Sequence, residues 1–132
     1  SEGLRAPTVE KGLDFVPLVA PTSNPERIAQ AAEAATSFIY YVSITGVTGS
    51  KAADLAAASE RAGALQQEVG RPVALGFGVK TKHDVATVAP KVDGVVVGSA
   101  VVSVIENASS HDEALGSVRA LVSELAQGLA RQ

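Results

Sequence analysis

The sequence contains no cysteine, which removes disulfides, thiolate chemistry and Cys-based metal sites together. Histidine is nearly absent as well. His83 and His111 lie far apart, each at the start of a predicted helix, so neither a His-based metal site nor a Ser/His pair is expected. Aromatic residues make up only 4% of a chain that is 46% hydrophobic, so its core must be built from Val, Leu, Ile and Ala. Basic runs are missing too. A net charge of −3 and a pI near 5.3 argue against nucleic-acid or anionic-membrane partners. No apolar run approaches the roughly 18 residues that span a bilayer, and the N-terminus lacks a basic-then-apolar signal pattern. A soluble cytoplasmic protein is the expectation.

What is present is an alternation of short Val/Leu/Ile-rich runs with helical patterns. At 132 residues the chain is long enough for one domain, residues 1–132, with a real core. A short helix is expected to end at Gly12, with Pro7 limiting its length. Leu13 to Ala20 then reads as a strand buried on both faces, although Pro17 removes a ladder hydrogen bond. Ser23 and Glu26 have the spacing of a capping box, with Pro25 in the first turn and Ile28, Ala31, Ala32 and Ala35 forming an inner face. Phe38 to Val42 is a second strand. A long helix runs from Lys51 to Val69 and closes near Gly70. Arg71 to Leu75 is a third strand, and Thr81 with Asp84 opens a short helix towards Val92. Asp93 to Val97 is a fourth strand, followed by a short helix over Ala100–Asn107. Ser110 and Glu113 form a third box, opening a helix with the apolar stripe Leu115, Val118, Val122, Leu125 and Leu129.

This β-α alternation implies a parallel sheet covered by helices. Four such units are half of a (β/α)8 barrel, which typically needs about 250 residues. A four-stranded doubly wound sheet satisfies the same pattern. No GxGxxG follows the first strand, so a dinucleotide fold has little support.

In parallel α/β folds, function collects at the carboxyl ends of the strands. Three of the four ends here carry glycines: Ser43 to Gly49, Gly76-Phe77-Gly78, and Gly94 to Ser99. Glycine admits a ligand close to the backbone, and a following helix N-terminus favours an anion. Convergence on one phosphate is the functional reading; tight βα turns are the structural one. Tyr40 and Tyr41 point to opposite faces of their strand, so one can line a pocket while the other packs under a helix. Phe77 is placed to wall the same pocket. Carboxylates fall elsewhere, at strand starts (Asp14, Asp93), in helix caps and first turns (Glu26, Asp84, Asp112, Glu113) or on helix surfaces. Lys80 is the sole ionisable group near a strand's carboxyl end. No general acid or base is identified.

Leu18 to Thr22, Tyr40 to Gly49, Gly76 to Val79 and Asp93 to Ala100 together resemble the second half of the tryptophan synthase alpha chain family, in order and at family spacing from about Gly12 to Asn107. The resemblance implies a (β/α)8 TIM-barrel fold, of which this chain would supply strands five to eight. It implies a cofactor-free lyase that splits indole-3-glycerol phosphate into indole and glyceraldehyde 3-phosphate for tryptophan biosynthesis, passing indole to a beta subunit. It would assign the phosphate to Gly49, Gly78, Gly98 and Ser99, and the indole pocket to Tyr40, Phe77 and Val96. Gly46 and Thr48 would belong to a lid loop. The family's catalytic glutamate and aspartate lie in the first half of the barrel, so this chain alone is expected to bind phosphate without cleaving the substrate. The competing expectation is a non-catalytic phosphate-binding half-barrel, which on its own would form a homodimer through its open sheet edges.

Overall fold

The computed structural model describes residues 2–43, 50–76 and 78–129. Its elements run α1 (Glu2–Glu10), β1 (Leu18–Val19), α2 (Pro25–Ala34), β2 (Ile39–Val42), α3 (Lys51–Val69), β3 (Val73–Gly76) and α4 (Lys82–Val88). A 3-10 turn (Ala89–Lys91) precedes β4 (Gly94–Val96), α5 (Ser99–Glu106) and α6 (His111–Gln127). All strand pairs are parallel and their order is β1-β2-β3-β4. A doubly wound sheet reverses its strand order at a switch point. None occurs here, which sets that alternative aside.

Register decides which side chains share a face. Val19, Tyr41, Leu75 and Val95 form one row across the sheet, with Ile39 and Val73 in the row before it. These residues pack with Ala31 and Ala35 at α2, with Leu55, Ala58, Ala62 and Leu65 of α3, with Val85 and Val88 of α4, and with Leu125 of α6. That is the core. The opposite face carries Leu18, Tyr40, Ala74 and Gly94 in one row and Val42, Gly76 and Val96 in the next. Its side chains range from buried Ala74 to exposed Leu18, and most are half-buried.

Local chemistry accounts for most boundaries. Gly12 (φ 73°) and Gly70 (φ 61°) adopt the left-handed conformation that stops α1 and α3. Thr81 and Asp84 form a reciprocal capping box on α4. Pro90 tightens the following turn into 3-10 geometry, so α4 ends at Val88 rather than running to Val92.

Three expectations need correction. The first strand is not Leu13–Ala20 but Leu18–Val19, and of the longer run only Val19 is buried, at 1% exposure. Pro17 has no N–H to donate. Upstream, the Phe15 N–H is taken by the Thr36 hydroxyl at 2.8 Å, which itself donates to Asp14 Oδ1. Backbone bonds add to this, from Thr36 N to the Phe15 carbonyl at 3.1 Å and from Tyr40 N to the Pro17 carbonyl at 3.0 Å. The second correction is the cap of α2. Pro25 occupies the first helical position, which makes Asn24 the N-cap, accepting from Arg27 N at 2.9 Å. Ser23 instead accepts from Ala20 N, closing the preceding turn. Third, the α6 stripe is not uniformly inward. Leu125 is buried, while Leu115, Val122 and Leu129 are at least half exposed. The Ser110 cap is as expected, but Glu113 reaches back to Ser109 N rather than to Ser110.

The exposed large apolar residues are distributed unevenly. Leu4, Val9, Leu13 and Leu18 lie on α1, β1 and the segment between them, and Val102, Ile105, Leu115 and Val122 lie on α5 and α6, with Leu129 just after α6. None lies on α2, α3 or α4. The middle of the fold is therefore closed and its two ends are not.

Gly116 within α6 and Gly128, its C-cap, test this packing. A Cβ on Gly128 would collide with the Lys82 carbonyl and lie 2.8 Å from Val85 Cβ, whereas one on Gly116 meets nothing within 4 Å. Gly128→Ala should cost about 1–3 kcal/mol by overpacking, and Gly116→Ala should gain roughly 0.5–1 kcal/mol of helix propensity. Urea denaturation of both variants checks the opposite signs.

Candidate functional site

The site is built at the carboxyl ends of β2, β3 and β4. Gly76 is its centre. It ends β3 in register with Val42 on one side and Val96 on the other. Its carbonyl accepts from both the backbone N–H of Ser43 at 3.2 Å and the Ser43 hydroxyl at 3.1 Å. Ser43 is 1% exposed, so this doubled bond locks the β2 and β3 ends together in a dry setting. The Ser43 amide thus belongs to the sheet and not to an anion site.

On the open face, the Tyr40 ring lies directly across Gly76. A Cβ at Gly76 would collide with the Tyr40 hydroxyl and would also lie 3.1 Å from Val96 Cβ. Glycine is required here by close approach of a ring, not by an unusual φ. Tyr40 and Val96, both expected in an aromatic pocket, are thereby brought to the same spot. Tyr41 takes the other role that strand alternation offers. It is 4% exposed in the helix-side core, where burial pushes its hydroxyl pKa up against the opposing pull of Arg61.

Two residues beyond the paired Gly76 and Val96 lie Gly78 and Gly98, at equal offsets on adjacent strands. Gly78 has φ 80°, a conformation open to glycine and strained for other residues. Gly98 caps α5, its carbonyl accepting from Val101 N and Val102 N, and α5 has no side-chain cap at this end. Gly98 and Ser99 are both exposed. Backbone amides at such a terminus, helped by the helix dipole, suit an anion. Gly46, Thr48, Gly49 and Phe77 lie outside the described residues.

One cluster was not foreseen. Asp84 Oδ2 accepts from Lys51 Nζ at 2.7 Å, from Lys80 N at 2.9 Å and from Thr81 N at 3.0 Å. Burial of its carboxyl works to raise the pKa, but the Lys51 ammonium and the two amides outweigh this and hold it below the usual carboxylate range. Its cap role was legible from Thr81-x-x-Asp84; the partner 33 residues away carried no local signal.

Comparison with known proteins gives the family. A family model described as "Tryptophan synthase alpha chain" matches residues 1–130. A curated tryptophan synthase alpha chain from Dechloromonas aromatica is 42% identical over 119 residues, covering 90% of this chain and 44% of that protein. Among solved structures, the tryptophan synthase alpha subunit of Legionella pneumophila superposes with a TM-score of 0.78 at 29% identity, over 97% of this chain and 47% of its own. The aminoacrylate-bound tryptophan synthase of Mycobacterium tuberculosis gives a TM-score of 0.76 at 35% identity, over 98% and 45% respectively. The chain spans about half the length of the relatives it matches.

The Asp84 cluster predicts a pH dependence. A carboxyl with a depressed folded-state pKa stabilises the fold above its ordinary unfolded pKa, and this contribution fades as pH falls through the folded value. Asp84→Ala should therefore cost about 0.5–2 kcal/mol at pH 7, the usual range for a lost cap. Its deficit against the wild type should shrink steadily below the ordinary carboxylate range, about pH 4. Urea midpoints of both proteins between neutral pH and pH 3 measure the convergence.

Proposed function

The chain belongs to the tryptophan synthase alpha chain family, and on that premise we propose that it is the substrate-holding half of a (β/α)8 barrel, contributing strands five to eight. The substrate is indole-3-glycerol phosphate, and the whole enzyme performs the retro-aldol cleavage to indole and glyceraldehyde 3-phosphate in the cytoplasm, without a cofactor. The observation that carries this reading is the Tyr40 ring laid across Gly76 against Val96, with a glycine two residues further along on β3 (Gly78) and on β4 (Gly98). An aromatic ring system fits against the first feature and a phosphate against the second.

In this reading the indole ring stacks near Tyr40 and Val96, with Phe77 completing the wall. The phosphate is held by Gly49, Gly78, Gly98 and Ser99, and the segment with Gly46 and Thr48 closes over it. Cleavage of the carbon–carbon bond needs a base for the glycerol hydroxyl beside the ring and an acid to protonate indole C3. Asp84 is engaged with Lys51 and two amides, and no strand residue on the open face is a carboxylate. The acid and base therefore come from the other half of the barrel, and the released indole passes to a beta subunit. This chain binds and orients; it does not cleave.

A second reading, self-association as a non-catalytic half-barrel, is favoured by the apolar residues gathered at both ends of the sheet. Two copies related by a two-fold axis, β4 of each beside β1 of the other, would cover both edges and enclose the open face. Light scattering of the isolated chain at micromolar concentration should give twice the monomer mass; a cooperatively unfolding monomer rules this second reading out.

Because the chain has no tryptophan, binding of an unreactive 3-indolylalkyl phosphate is readable from the ligand's own fluorescence. Saturable binding is expected, with no indole released from the natural substrate. Gly76→Ala should displace the Tyr40 ring and weaken binding roughly tenfold, a misplacement effect. Unchanged affinity in that variant contradicts the pocket assignment.

A further inference from the structure

Lys51 stands where helix electrostatics disfavour it. The first turn of α3 is the positive end of a 19-residue helix, and a cation there is repelled unless an anion compensates. The compensating group is Asp84, in the first turn of α4, where a carboxylate is favoured by its own helix. The two side chains meet at 2.7 Å across 33 residues of sequence. Asp84 is only 13% exposed against 46% for Lys51, so the carboxylate is the fixed member of the pair and the lysine reaches to it.

The position of this pair matters more than its strength. Lys51 follows Ser50, the N-cap of α3. On the other side, the same carboxylate oxygen holds the amides of Lys80 and Thr81, one and two residues after Val79, which is 2% exposed and anchors the turn that begins at Gly78. One oxygen atom therefore ties the start of α3 to the turn that leaves β3.

We infer that Lys51 and Asp84 form a brace that holds the N-terminus of α3 against the turn leaving β3, and so positions the phosphate-binding amide of Gly78. The inference rests on the phosphate reading above and adds to it two positioning residues, neither of which touches the ligand. It also assigns the Lys51 charge to Asp84 and not to the phosphate, so that recognition of the anion is left to backbone amides and the Ser99 hydroxyl.

The test is a titration of the full chain with inorganic phosphate, followed by the amide chemical shifts of Gly78, Gly98 and Ser99. Circular dichroism confirms that each variant is folded. Lys51→Met should raise the phosphate Kd roughly three- to tenfold, the size of a positional effect that removes no ligand contact. Asp84→Asn keeps an oxygen acceptor for the two amides while losing the charge, and should do the same. The double variant should be no weaker than either single one, since both remove one interaction. Lys51→Arg should restore most of the affinity. If Asp84→Asn tightens phosphate binding, Lys51 is a direct ligand freed by the change, and the brace is wrong. If Lys51→Met leaves Kd unchanged while the wild type saturates, the phosphate reading stands and the brace falls. If wild-type amides do not respond to phosphate at all, the phosphate reading itself fails and takes the brace with it.

Discussion

The architecture of the open face depends on the missing side chain of Gly76. The Tyr40 ring occupies the volume a Cβ would need, and Val96 closes on it from the neighbouring strand. The same residue's carbonyl accepts both the amide and the hydroxyl of Ser43. One glycine thus sets the ring's position, the junction of β2 with β3, and the start of the turn containing Gly78. Any side chain there would push the ring outward, because the paired backbone around it is held in register on both sides.

Burial is one-sided in a way that explains the rest of the chain. The core is the layer between the helices and one face of the sheet, rich in Ala where α2 and α3 approach it closely. The other face carries only Leu18, Tyr40, Val42, Ala74, Val96 and two glycines. A surface so lightly covered, together with apolar residues at both ends of the sheet, is what the half-barrel proposed above would leave open. That the chain spans about half of its relatives' length accords with this.

Features governed by neighbours in sequence were legible from the sequence. The helix stops at Gly12 and Gly70, the Thr81–Asp84 box and the β-α alternation all follow from short-range geometry. What covers an element was not legible. Leu13 to Ala20 has the composition of a fully buried strand, yet it lies at an edge, where Pro17 has no N–H to donate, the Phe15 N–H goes to the Thr36 hydroxyl, and only Leu18–Val19 is a strand. The α6 stripe has helical periodicity, but periodicity does not say whether a partner is present, and half of it faces outward. For Tyr40 and Tyr41, alternation separated the two faces, while only the packed helices decided that Tyr41 takes the core and Tyr40 the open side. The Lys51–Asp84 pair joins positions that no local pattern relates.

By the function proposed above, this chain alone carries the residues that hold an indole-bearing phosphate ester. A crystal structure of the chain grown with an unreactive 3-indolylalkyl phosphate tests it most directly. The ring is expected against Tyr40 and Val96 on the open face, and the phosphate at the amides of Gly78, Gly98 and Ser99. Density for the ligand on the helix side, or a phosphate remote from both glycine turns, would contradict it.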